Sequence, residues 1–240
     1  MFVRVLVIVA GLAATARPDT LAAVLGSSQN VPQTRLALPV FRDVARSAGL
    51  DFIHNNGASE EKFFPEIMGS GGLLLDFDND GWLDIFFVDG GSFADPAVAR
   101  RARHRLYRNR GRGSFEDVTS SSGIRHRDYG MGACAGDVDN DGAIDLYVTN
   151  VGPNALYRND GRGKFTEVPK AGGADDALWG TSCAFVDIDR DRDLDLFVAN
   201  YVDLRRGNQF CGIPGPPPIR EYCHPLVYPP LASRLYRNDG

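Results

Sequence analysis

Three nine-residue stretches carry carboxylates at one spacing: Asp76–Asp84 (DFDNDGWLD), Asp137–Asp145 (DVDNDGAID) and Asp187–Asp195 (DIDRDRDLD). Each has aspartate at loop positions 1, 3, 5 and 9, and the first two have glycine at position 6. Like charges crowded this closely repel, so such a loop is costly unless a cation neutralises it. The natural occupant is Ca²⁺, which takes about six to eight oxygen ligands at about 2.3–2.6 Å and tolerates irregular geometry. The expected side-chain ligands are Asp76, Asp78, Asp80 and Asp84 in the first loop and Asp137, Asp139, Asp141 and Asp145 in the second. The third offers Asp187, Asp189, Asp191, Asp193 and Asp195. At position 7 of the first two loops the backbone carbonyls of Trp82 and Ala143 are the expected ligands, with water completing the shell. Gly81 permits the positive φ that folds the loop around an ion.

An EF-hand shares the first half of this pattern but needs a glutamate at position 12 and a helix on each side. Position 12 here is Phe87, Val148 or Val198, none of which can ligate. The segments leaving the loops, LDIFFVD, IDLYVTN and LDLFVAN, are short and rich in β-branched and aromatic residues, so they are expected to be strands. In the first of them Leu83, Ile85 and Phe87 lie on one side and Phe86 and Val88 on the other. Both faces are therefore apolar, as in a sheet covered on both sides.

The elements around the loops repeat as well. The string LYRN starts at Leu106, Leu156 and Leu235, and after the first two come GSFEDV and GKFTEV at constant distance. Leu106 to Leu156 is 50 residues, as is Asp137 to Asp187. One unit reads strand, Asp loop, strand, variable loop, LYRN strand, turn, G-x-F strand. Four short antiparallel strands per unit of this length are the signature of a β-propeller blade, and the expected class is all-β. FRDVARSAGLDFIHNN, from Phe41, is expected to hold a short strand or helix ahead of the first loop.

At these residues the sequence resembles the FG-GAP (VCBS) repeats found in the integrin α-chain propeller. The order of segments, including FRDVARSAGL, is similar to the secreted cartilage-acidic-protein family. The resemblance covers roughly residues 41–240. It implies a propeller, typically seven-bladed, with Ca²⁺ loops on one rim and a role in adhesion or matrix recognition. Two departures stand out. There is no literal FG or GAP string, although Gly132 and Gly180 stand near where FG would fall, and position 6 of the third loop is Arg192. Three repeats do not close a ring of about four to eight blades, so the chain reads as a partial propeller of a longer protein.

The N-terminus, MFVRVLVIVAGLAATARPD, has one arginine, an apolar run and small residues, with an A-x-A site at Ala14-Thr15-Ala16. It reads as a secretory signal over residues 1–16. The run is shorter than the roughly 20 apolar residues a membrane span needs. Residues 17–40 read as a flexible linker and 41–240 as the propeller. Hydrophobic residues make up 43% and charged residues 24%, an ordinary globular balance. Three divalent ions would move the formal charge from −5 to +1, so the acidity belongs to the loops.

Other motifs point less sharply. Residues 100–112, RRARHRLYRNRGR, hold seven arginines. They would suit a sulfated or acidic polysaccharide, but a solvated blade loop offsetting the acidic loops is the preferred reading. Nucleic acid is not an expected partner of an exported chain. His54, His104, His126 and His224 are scattered without metal spacing, and no GxSxG, P-loop or CxxC string occurs. The third repeat is lengthened by CGIPGPPPIREYCHPLVYPP. Its prolines are expected to forbid regular structure and to display Phe210, Arg220, Tyr222 and Tyr228, either to a partner or as a stapled lid.

Cys211 and Cys223 are expected to form a disulfide. Cys134 lies three residues before its Asp loop and Cys183 four before its own. That offset puts their sulfurs on opposite faces of equivalent strands, as contact between stacked blades requires. Sheets pack about 10 Å apart, which argues for buried free thiols unless the strands converge near the axis. The reading reached is a secreted calcium-binding propeller module that recognises an extracellular protein or glycan. The alternative is an exported polysaccharide-active enzyme on the same scaffold.

Overall fold

The structure, a computed structural model, describes residues 38–125, 128–204, 207 and 209–240. The expected secretory signal at residues 1–16, most of the expected linker, and His126 lie outside the described residues. Leu38–Arg42 carry no regular element.

Two four-stranded antiparallel sheets follow one another along the chain. The first orders β1 (Gly72–Leu75), β2 (Asp84–Phe87), β3 (Arg105–Asn109) and β4 (Phe115–Asp117). The second orders β5 (Tyr129–Gly136), β6 (Asp145–Val151), β7 (Ala155–Asn159) and β8 (Phe165–Glu167). The third sheet pairs β9 (Gly180–Val186), β10 (Asp195–Asn200) and β13 (Arg234–Tyr236). Each Asp loop is the turn between the first two strands of its sheet, and each LYRN string falls on the third strand. Two short helices, α1 (Pro96–Arg101) and α2 (Thr119–Ser122), sit in connections, the first capped by the Asp95 side chain. These are propeller blades, and the chain is nearly all β.

The blades stack through their apolar faces. Phe86, Val88 and Leu106 of the first blade pack with Leu146, Val148, Tyr157 and Phe165 of the second in one buried cluster. Tyr147 and Cys134 of the second meet Leu196 and Val198 of the third in another. On the other face of the first blade Phe52 stacks on Phe87, ring centroids 4.8 Å apart.

The innermost strands converge. A Cβ on Gly132 would stand 2.7 Å from the Thr181 carbonyl, so glycine alone lets β5 and β9 approach this closely. The register against β6 also shifts between Gly130 and Gly132, a bulge that bends β5. That convergence corrects the expectation of free thiols: Cys134 and Cys183 are disulfide-bonded, with Cα atoms 5.6 Å apart. The opposite-face argument holds, but the ordinary sheet spacing does not apply near the axis.

Two further expectations are corrected. Phe41–Asn56 forms neither strand nor helix but a turn at Ala45–Gly49. It repeats the segment after β4: VARSAGL at Val44–Leu50 matches VTSSSGI at Val118–Ile124. In both, the glycine has positive φ and lies under a strand carbonyl. A Cβ would meet Phe115 O at 2.5 Å from Gly49 and Phe165 O at 2.4 Å from Gly123.

The proline-rich insertion is also regular: β11 (Cys211–Ile213) pairs with β12 (Ile219–Glu221). The prolines occupy the turn from Pro214 to Pro218, and the flanking residues keep the N–H groups a ladder needs. Cys211–Cys223 clamps the base as expected, with Cα atoms 5.2 Å apart. Nor is Tyr228 displayed. It is buried, its ring stacked on Phe64 at 5.5 Å. The Tyr222 hydroxyl donates to Glu66 Oε2 (3.0 Å), and Arg220 lies over Phe210. The insertion is thus a stapled flap folded onto the segment that enters the first blade.

Candidate metal centres

All three loops close on the same carboxylate, although in the third it accepts from position 4 in place of position 5. The position-1 carboxylate turns inward and accepts main-chain N–H groups. Asp76 accepts from Asp80 N (3.1 Å) and Gly81 N (2.9 Å), and Asp137 from Asp141 N (3.0 Å) and Gly142 N (2.9 Å). In the third loop Asp187 accepts from Arg190 N (2.6 Å) and Arg192 N (3.2 Å). Position 5 accepts from the N–H of position 7, at 2.9 Å in each copy.

Such a path needs a left-handed residue at position 6. Gly81 and Gly142 have φ of 85° and 87°, and Arg192 adopts φ 82° in the same place. The third loop therefore keeps its siblings' fold despite lacking the glycine.

Position 9 begins the second strand and is fully buried in each copy: Asp84, Asp145 and Asp195. Both oxygens of each are held. Asp84 accepts from Phe77 N (3.1 Å) and Asn109 N (2.7 Å). Asp145 accepts from Val138 N (3.0 Å) and Asn159 N (2.8 Å), and Asp195 from Ile188 N and Asn238 N (both 2.9 Å). Burial pushes the Asp84 carboxyl up to about 6 against the pull of those two N–H groups, and burial raises Asp145 as well.

Positions 1, 3 and 9 converge. Ligand atoms of Asp76, Asp78 and Asp84 lie within 4.8 Å of one another, as do those of Asp137, Asp139 and Asp145 and those of Asp187, Asp189 and Asp195. Asp80, Asp141, Asp191 and Asp193 stand outside these groups, and Trp82 and Ala143 could reach them only through main-chain carbonyls. The donors are all oxygen, which suits a hard divalent cation. The Asp78 side chain is only 7% exposed, and its Oδ1 is buried without a hydrogen-bond partner. A buried carboxylate oxygen without a donor is costly, and a cation would satisfy it. The residues fit a metal ion.

Sequence reading missed what LYRN does. Its tyrosine ties the blade to the preceding segment, Tyr107 donating to Asp51 Oδ1 and Tyr157 to the Arg125 carbonyl, both at 2.6 Å. Its asparagine supplies the N–H under position 9. Its arginine reaches the loop itself: Arg108 Nε lies 2.7 Å from Asp78 Oδ2, and its Nη2 3.3 Å from Asp80. Arg158 pairs likewise with Asp139 and Asp141, whereas Arg237 pairs with Asp239. The signal was present in the recurrence of the string beside the loops, but its spacing from them varies too much to read as a contact. Arg105 and Arg110 of the same basic run pair instead with Asp117 and Glu116 on β4, outside the acidic loop.

The histidines take separate places. His54 stands 3.5 Å from Asp89, His104 Nδ1 accepts from Asp89 N, and His224 caps a turn by accepting from Leu226 N. Among the described residues they form no metal group.

No curated protein matches the chain. The FG-GAP-like repeat matches twice, over residues 76–148 and 137–198, each match running from an Asp loop to the strand that follows the next one. Together the matches span just over half of the sequence, and the chain belongs to the FG-GAP-like repeat family.

Proposed function

We propose that this chain is an exported Ca²⁺-binding propeller module that recognises an extracellular protein or glycan, related to the cartilage-acidic-protein and integrin propellers. The observation that carries the reading is the threefold recurrence of one closed carboxylate triad, with a buried unpartnered Asp78 oxygen in the first. Positions 1, 3, 5 and 9, with the position-7 carbonyl or Asp193, would hold the ion. When bound, Ca²⁺ supplies positive charge that offsets the crowded carboxylates and fixes the loops. The protein's part is to hold the carboxylates together by main-chain N–H groups before the ion arrives.

Two disulfides support export, because such bonds persist in oxidising compartments. The recognition surface is assigned to the ends of the blades opposite the Asp loops. There Phe63, Phe64, Phe93, Trp179 and Tyr228 line an apolar hollow of about 290 Å³. A concave, mostly apolar hollow with aromatic walls has the form of a ligand site.

Calorimetric titration with Ca²⁺, followed by a panel of extracellular polysaccharides and matrix proteins, tests this reading. Binding of about three ions, and of a panel member without turnover, is expected. Product formation would favour the polysaccharide-active alternative, and a protein that takes up no Ca²⁺ would sink the proposal.

A further inference from the structure

The third strand of each complete blade sends an arginine into its own acidic loop. Along β3, Tyr107 points into the core and Asn109 binds Asp84 through its N–H, which leaves Arg108 between them to cross to positions 3 and 5. β7 repeats this with Arg158, Asp139 and Asp141. Asp78 is divided between two cation-seeking environments. Its Oδ2 faces Arg108, while its Oδ1, buried and without a donor, belongs to the carboxylate group formed with Asp76 and Asp84.

The Arg108–Asp78 contact is close but not an aligned hydrogen bond, since the Nε–H does not point along it. It is therefore held mainly by charge. An exposed ion pair contributes little, but this one sits where Asp78 is 7% exposed and Arg108 34%, so screening is incomplete. A guanidinium offsets one of the negative charges that make such a loop unfavourable. The same guanidinium repels a dication held by the other carboxylate oxygens.

We propose that Arg108 and Arg158 are resident counter-cations that keep the loops Asp76–Asp84 and Asp137–Asp145 folded without metal and weaken metal binding to them. This inference rests on the Ca²⁺ reading above. Arginine and metal are then antagonists: each stabilises the loop, and each lowers the benefit of the other. The effect is larger at Arg108 than at Arg158, whose side chain is 54% exposed and whose partners are wetter.

The test compares the whole chain with Arg108→Gln, Arg108→Lys and Arg158→Gln, by Ca²⁺ calorimetry and by melting in Ca²⁺ and in chelator. Arg108→Gln is expected to tighten one Ca²⁺ site by on the order of tenfold, from charge repulsion across several ångströms. It should also widen the Tm gap between Ca²⁺ and chelator, chiefly by lowering the chelator value. Arg108→Lys keeps the charge and should lie near the wild type. Arg158→Gln should show the same changes, smaller, and serves if Arg108→Gln does not fold. Equal Tm losses in both conditions with unchanged affinity would mean a merely structural ion pair and overturn the proposal. Weaker Ca²⁺ binding in Arg108→Gln would overturn it too, by making the arginine a helper of the metal. No Ca²⁺ heat or Tm shift in the wild type is a separate outcome that removes the Ca²⁺ reading and this inference together.

Discussion

Asn159 Nδ2, on the second blade, donates to the carbonyl of Phe77, in the acidic loop of the first blade, at 2.7 Å. The same amide holds Ile144 O at 3.0 Å, and Asn238 repeats the clasp from the third blade to Val138 O at 2.8 Å. Asn79 adds a bond to Gly142 O, and Asn140 one to Asp193 Oδ1. The first loop is therefore fastened to the second, and the second to the third.

Asn159→Ala should cost about 2 kcal/mol, because it leaves two carbonyls at a buried site without a donor. Urea denaturation measures this, and a loss below about 0.5 kcal/mol would show that water replaces the amide.

Gly132→Val is expected to separate β5 from β9, since its Cβ would stand 2.7 Å from Thr181 O. Thiol labelling under native conditions should then find Cys134 and Cys183 partly reduced, whereas both are protected in the parent. Replacing the pair by serine should cost about 4 kcal/mol for the 49-residue separation, in the chain-entropy description.

Arg192→Gly removes a non-glycine residue from φ 82°, where such a residue costs about 1–2 kcal/mol. The variant should melt several degrees higher. A neutral result would mean that the Arg192 side chain makes a compensating contribution.

Asp89 predicts a specific acid response. Burial alone would raise its carboxyl, but the His54 ring beside it and hydrogen bonds from the Asn55 N–H, the Asn55 amide and the Arg103 N–H outweigh burial and hold it at about 2. His104 accepts from its N–H, and Tyr129 lies close enough for the two charges to interact. An unfolded aspartate titrates near pH 3.9. Between about pH 4 and pH 2 the unfolded chain takes up a proton that the folded chain refuses. The stabilisation is therefore complete above about pH 4 and lost as the pH falls toward 2. Asp89→Asn should lose about 2 kcal/mol at pH 7 and show a flatter decline over that window in a pH series of denaturation curves.

The sequence by itself determined the local chemistry. Carboxylate spacing set each loop's path, short runs of β-branched and aromatic residues set the strands that leave the loops, and a 50-residue recurrence set the blade. These are legible because a turn or a strand depends on residues a few positions apart. The opposite-face placement of Cys134 and Cys183 was legible too, since strand parity is local. What only the tertiary structure decided is how the units meet. The convergence of β5 and β9 rests on Gly132 lying under a carbonyl of another blade. The return of Arg108 to Asp78, and the burial of Tyr228 against Phe64, depend on segments whose separation along the chain varies or is long. A side chain's partner across such a distance is set by how sheets stack and twist, and no spacing within one repeat encodes that.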